Sequence, residues 1–313
     1  MKHPVVKPDA HFLYCSTMAN LKEVKSRIGS VTSTQQITKA MKMVAAAKLR
    51  RAQDAITQLR PYAEKLTEIL QNLSSANKEG TDNVYGEQRP VNRVLIVAVT
   101  SDKGLAGAFN TNVMRRIRVL LENDFREQHQ QGNVEILPIG KKALDYYKKG
   151  DVKLHTQFSG LFSNLSFDEA RSAAEFAMEN FVNGTFDKVI VVYNEFKNVA
   201  TQIIRAEQLL PILPAENEEE ESAATVDYIY EPSREEIVQE LIPKSIKIQF
   251  YKALLDSNAS EHGARMTAMD KATDNAGELL KELKLVYNRT RQAAITTEIL
   301  EIVAGAEALS SSR

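Results

Sequence analysis

Between a β-branched run ending at Thr100 and an amphipathic stretch beginning at Asn110, the chain reads Lys103-Gly104-Leu105-Ala106-Gly107-Ala108-Phe109. A glycine-rich turn that leaves a strand and enters a helix is where an α/β fold binds phosphate, because backbone N–H groups and the helix N-terminus face the anion there. The spacing matches neither G-x-G-x-x-G nor G-K-[ST], so the stretch is read as a structural turn with glycines at strained backbone positions. His129, His155 and His262 are scattered with no H-x-x-x-H pair, which argues against a metal site. The single cysteine, Cys15, excludes an internal disulfide, a thiol pair and a cysteine-based zinc site. No nucleophile elbow or kinase-type set occurs. The sequence therefore predicts no catalytic, cofactor-binding or metal residue, and no cofactor.

What remains is the chemistry of recognition. Lys22, Lys25, Arg27, Lys39, Lys42, Lys48, Arg50 and Arg51 face only Glu23 and Asp54 in the same stretch. They form either a solvated face or the counterpart of an acidic partner; nucleic acid is the weaker reading, because aromatic residues are not interleaved. Arg291-Gln292-Ala293-Ala294-Ile295-Thr296-Thr297-Glu298 offers directional, multi-donor hydrogen bonds to carboxylates and loop carbonyls, against the plain reading of surface helix residues. Beyond it Ile302, Val303, Ala304, Ala306, Ala308 and Leu309 are apolar or small on several faces. An exposed helix of that make-up is an aggregation hazard unless another protein sheathes it.

Two long helices have to carry these residues. Pro243 to Leu309 contains no proline after its first residue and would extend roughly 100 Å at about 1.5 Å per residue. From Leu255 through Ala259, His262, Met266, Met269, Thr273, Ala276, Leu280, Leu283, Tyr287 and Thr290 to Ala294, the steps alternate four and three, the period of a left-handed coiled coil. A matching seam runs from Val24, Ile28 and Val31 through a polar break at Gln35, Thr38 and Lys42, then from Ala45 and Leu49 on to Leu73. Pro61 interrupts that helix and predicts a kink, at a cost of about 3 kcal/mol. If the helices run antiparallel with Leu73 near Ile246, Asn20 falls opposite residue 299 and the remainder has no partner within the chain.

The middle of the chain changes period. Val91 to Thr100 reads as a strand buried on both faces, followed by a helix from Asn110 to Gln130, a strand from Asn133 to Ile139, and helices from Lys141 to Lys149 and Asp168 to Phe181. Strands from Asp187 to Tyr193 and Thr201 to Leu210 complete the pattern of a mostly parallel sheet. A short strand is expected at Val226 to Tyr230, and a short helix capped by Ser233 and ending near Pro243. The fold class is α/β with a long antiparallel two-helix coiled coil from the N- and C-terminal helices and a central Rossmann-like α/β domain inserted between them. Residues 1–17 are read as a disordered extension, 18–77 and 243–309 as the coiled coil, and 90–232 as the α/β domain with an acidic insertion at 216–224. With 313 residues, 43% hydrophobic, 26% charged and a net charge of -1, the chain can bury a core and shows no general bias toward nucleic acid or anionic membrane. No apolar run approaches the roughly 18–20 residues of a membrane span.

Three separated motifs carry a family resemblance. Thr34-Gln35-Gln36-Ile37-Thr38-Lys39-Ala40-Met41-Lys42-Met43-Val44-Ala45-Ala46, Ser101 to Asn110, and Ser260 to Met269 with Tyr287 to Thr296 resemble, in this order, the gamma subunits of F-type ATP synthases. The similarity covers nearly everything from Met18 to Leu309. It implies a rotor: the two helices form an asymmetric shaft inside a ring of alternating alpha and beta subunits, and the α/β domain stands with the epsilon subunit on the membrane-embedded c-ring, one copy per complex. By the same resemblance Met41 and Lys42 face an acidic lever of a beta subunit, with Arg265 at a neighbouring level, and Arg291, Gln292 and Thr296 meet a catch loop. Ile302, Val303 and Leu309 form a hydrophobic tip. The resemblance implies a non-catalytic subunit on the cytoplasmic side of a bacterial plasma membrane, since the thiol-bearing insertion of chloroplast relatives is missing. The competing readings are a coiled-coil tether carrying an α/β cargo domain and a nucleotide-dependent enzyme with a helical dimerisation arm.

Overall fold

Val94-Leu95-Ile96-Val97-Ala98-Val99 has no polar side chain, and it forms a strand, β1, in which every residue is buried. Such a run suits only the centre of a sheet covered on both faces. In the computed structural model, which describes residues 21–75, 84–212 and 234–311, β1 pairs in parallel with β2 (Val134–Ile139) and with β4 (Lys188–Phe196). Two further strands complete the sheet: β3 (Lys153–Leu154), parallel to β2, and β5 (Gln202–Leu210), antiparallel to β4. The order is β3-β2-β1-β4-β5, the arrangement of a Rossmann-like core with an antiparallel edge. The extension at 1–17, the acidic insertion at 216–224, the strand expected at Val226–Tyr230 and the cap at Ser233 lie outside the described residues.

One face of the sheet is covered by α2 (Phe109–Val119) and α4 (Lys141–Tyr147), whose Val113, Ile117 and Ala143 meet Val94, Ile96 and Ala98. The helix expected over 110–130 is interrupted: Leu120–Asp124 widens into a π turn before α3 (Arg126–Gln130). The other face is covered by α5 (Phe167–Val182), capped by Ser166, and by Ile246, Phe250 and Leu254 of α6 (Arg234–Ser311).

Two long helices, α1 (Leu21–Ser75) and α6, account for the rest. Both contain a proline without ending there. Pro61 is exposed and Pro243 only half-buried, so water can reach the carbonyls their rings leave unbonded. The structure thus corrects one expectation, since Pro243 lies inside α6 instead of opening it; α1 continues beyond Pro61 as expected.

The chain divides into two compact units, and the division crosses both long helices. One unit comprises residues up to Met41 with Met269 onward, the other Lys42 to Ala268. In the second unit, Leu49 and Ala52 of α1 pack with Ala259 of α6. In the first, the Thr38 and Thr273 hydroxyls are 2.8 Å apart, and a Cβ on Gly277 would stand 3.1 Å from Gln35 Nε2. The pairing is antiparallel, and among the described residues the seam positions from Val24 to Leu66 and from Leu255 to Thr290 are buried or half-buried, whereas Ala294 is exposed.

The register differs from expectation by about two helical turns. With Thr38 opposite Thr273, Leu21 falls opposite about residue 290, not 298. The reason is that Ile246 does not face the far end of α1; it packs in the sheet core with Phe250 and Leu254.

Candidate functional site

The turn after β1 is built from side-chain hydrogen bonds. Asn110 Oδ1 accepts from Ser101 N at 2.9 Å, Ser101 Oγ donates to Lys103 O at 2.7 Å, and Asp102 accepts from Lys141 N and from Ser163 Oγ. Leu105 has φ +62° and Gly107 φ +56°; the strain expected of this turn therefore falls partly on a leucine, which is 66% exposed. Gly140, φ +98°, is needed for a close crossing, because a Cβ there would lie 2.0 Å from Thr100 O. Asn194 of β4 donates to Phe109 O, so the turn lies at the carboxyl ends of β1 and β4, where a doubly wound sheet changes direction and its relatives bind nucleotides.

Here that crevice offers carbonyl oxygens to a cation. Lys103 O and Gly104 O both accept from Arg265 Nη2, at 3.0 and 3.2 Å. Arg265 Nη1 donates to Glu261 Oε1 at 2.5 Å, and the two side chains are only 11% and 8% exposed. Burial pushes the Glu261 carboxyl up, and Arg265 pulls it back. Beside them His262 is pushed down to about 4, by burial first and then by Arg265 and Lys48. His262 Nδ1, Ser257 Oγ and Ser260 Oγ are buried without a hydrogen-bond partner among the described residues. The resemblance implied a partner contact for Arg265; in the folded chain its guanidinium is engaged by Glu261 and the Lys103–Gly104 turn.

The remaining expected residues lie elsewhere. Met41 and Lys42 are half-buried on α1. Arg291, Gln292 and Thr296 are exposed, and Thr296 Oγ1 donates to Gln292 O within its own helix. From Arg291 to Ala308 every residue is exposed, including Ile295, Ile299, Leu300, Ile302 and Val303. The Leu309 side chain lies outside the described residues. The structure thus brings together no single cluster from the expected set, but an exposed helix end with apolar residues on several faces. Ile37, Met43 and Val44, absent from the expected set, are 58–61% exposed. Their signal was present, since each is a large apolar residue off the heptad seam.

A model of the ATP synthase family matches residues 20–309. A protein of Cytophaga hutchinsonii described as ATP synthase gamma chain is 61% identical over 295 residues, 94% of this chain and all of that one. The chain belongs to the ATP synthase gamma-chain family. A gamma chain of Christiangramia forsetii is 56% identical over 292 residues, covering 93% of this chain and 99% of that one. The central stalk and c-ring structure of the Tetrahymena thermophila mitochondrial ATP synthase contains a chain at 25% identity and TM-score 0.51, covering 75% of this chain and 99% of its own. The Euglena gracilis mitochondrial ATP synthase contains one sharing the fold at TM-score 0.64 and 21% identity, over 93% and 95%. As a gamma chain the protein is a central-stalk rotor subunit without a catalytic site of its own, coupling ion translocation to ATP synthesis or hydrolysis. Among the described residues no helix is long and apolar enough to cross a membrane.

Proposed function

We propose that α1 and α6 form the axle of the synthase, with Arg291 to Leu309 enclosed by the ring of alpha and beta subunits and the sheet domain standing with the epsilon subunit on the c-ring. One copy serves each complex, on the cytoplasmic side of a bacterial plasma membrane. Met41 and Lys42 meet an acidic lever of a beta subunit, and Arg291, Gln292 and Thr296 meet a catch loop. Arg265 acts from behind by holding the Lys103–Gly104 turn to α6. The observation that carries this reading is the exposed run from Arg291 to Ala308, whose aliphatic residues need a socket supplied by other proteins.

The mechanism follows from asymmetry. A helix pair presents different side chains at each azimuth, so chemically identical subunits around it receive unequal contact energies. Each is biased differently between open and closed states, and the bias moves as the axle turns. A tether would leave the helix end in solvent and pair with a second copy of itself; the rotor requires one copy and an enclosed end. The deciding experiment is Met41→Lys in the assembled synthase, measuring ATP turnover against ion transport. A second cation beside Lys42 should lower the ions moved per ATP hydrolysed. Unchanged coupling would remove Met41 from the lever contact.

A further inference from the structure

A cavity of about 530 Å³ opens between α1, α6 and the β4–β5 hairpin of the larger unit. Ile56, Leu59 and Ala63 wall it from α1, Ile248 and Leu255 from α6, and Phe196 from β4. Its polar groups are unequally provided for. Glu195 accepts from Arg205 Nε at 2.7 Å, and Glu207 accepts from the Tyr193 hydroxyl at 2.9 Å. Arg60 and Lys252 sit at the exposed rim. Asp256 differs from all of them: it lines the cavity at 8% exposure and makes no hydrogen bond or ion pair among the described residues. Lys252 precedes it by four residues on the same helix, the less favourable order for an ion pair, and does not reach it.

A buried carboxylate without a counter-ion holds its proton or acquires a cation. Burial pushes Asp256 up to about 6, with Glu195 and Glu207 adding to the push and Lys252 and Arg60 opposing it. Arg60 and Lys252 of the lining are exposed while Ile56, Leu59, Ile248 and Leu255 give it aliphatic surface, so a suitable ligand carries a positive head and a hydrocarbon body. We propose that this cavity binds an apolar primary amine, its ammonium paired with Asp256 and its hydrocarbon against Ile56, Leu59, Ala63, Ile248 and Leu255.

The test uses the purified, assembled synthase and the probe 4-phenylbutylamine, with 4-phenylbutan-1-ol as the neutral control. Calorimetry should show saturable binding of the amine, weakened at least about tenfold in Asp256→Asn and for the alcohol, since each removes the charge pair. An electron cryomicroscopy map with the amine present should place its density beside Asp256. Absence of binding, equal affinity in the variant, equal affinity for the alcohol, or density elsewhere would overturn the proposal. A segment of another subunit filling the cavity in the assembled complex would overturn it as well.

Discussion

The helix α6 has two stretches of opposite character. From Ile246 to Arg265 it is buried on nearly every side, and the polar residues it buries there include Ser257, Ser260, Glu261, His262 and Arg265. From Arg291 to Ala308 it is exposed on every side, including residues as apolar as Ile302 and Val303. Composition alone would place these stretches the other way round. In the first, Arg265 fixes the Lys103–Gly104 turn to the helix through directional bonds; in the second, large apolar groups stand exposed. Burial in this chain follows what each stretch is built to touch.

The sharpest way to break that contrast is to truncate a side chain in each stretch. Arg265→Ala leaves the Glu261 carboxylate and two turn carbonyls without their donor in a buried place, and should cost about 3–5 kcal/mol in the thermal unfolding of the full chain. Ile302→Asp should change the same stability by less than about 0.5 kcal/mol, yet prevent incorporation into the complex as judged by co-purification. Equal stability losses would abolish the distinction.

Asp256 tests the packed stretch with the sign reversed. Its folded-state value of about 6 lies above that of an unfolded aspartate, so its contribution is present at low pH and is lost as pH rises through about 4 to 6. Asp256→Asn should therefore stabilise the chain by about 3 kcal/mol at pH 7 and by under about 1 kcal/mol at pH 4, which paired denaturation curves at the two values would resolve. A gain that did not depend on pH would mean that the carboxyl is already solvated. The smallest effect belongs to the helix pairing: Thr38→Val removes the bond to Thr273 and should lower stability by about 1 kcal/mol, measured in the same way.

Much of this arrangement was legible in the residues. The 3.5-residue period gave the pairing of α1 with α6, the aliphatic run gave β1, and the seam running out near Ala294 gave an end of α6 unpaired within the chain. The register was not legible, because Ile246, Phe250 and Leu254 have the same apolar character whether they face a helix or a sheet. Nor was the antiparallel direction of β5, since alternation is the same in both directions. The engagement of Arg265 with Lys103 and Gly104 joins residues 161 and 162 positions apart, and no local pattern announces it.

The paired hydroxyls of Thr38 and Thr273 have a consequence for alignment. Each hydroxyl also lies within reach of a carbonyl of its own helix, Thr38 of Gln35 O and Thr273 of Met269 O; with one proton apiece, one hydroxyl donates to its partner and the other to its own backbone, so a short polar relay links the pair. Aliphatic seams tolerate sliding by a heptad, because leucine resembles leucine; here such a slide would set the Thr38 hydroxyl against Leu280 and remove the bond between the helices. The relay works as an index mark on an otherwise greasy rod, keeping every side chain at its assigned height while force passes along it.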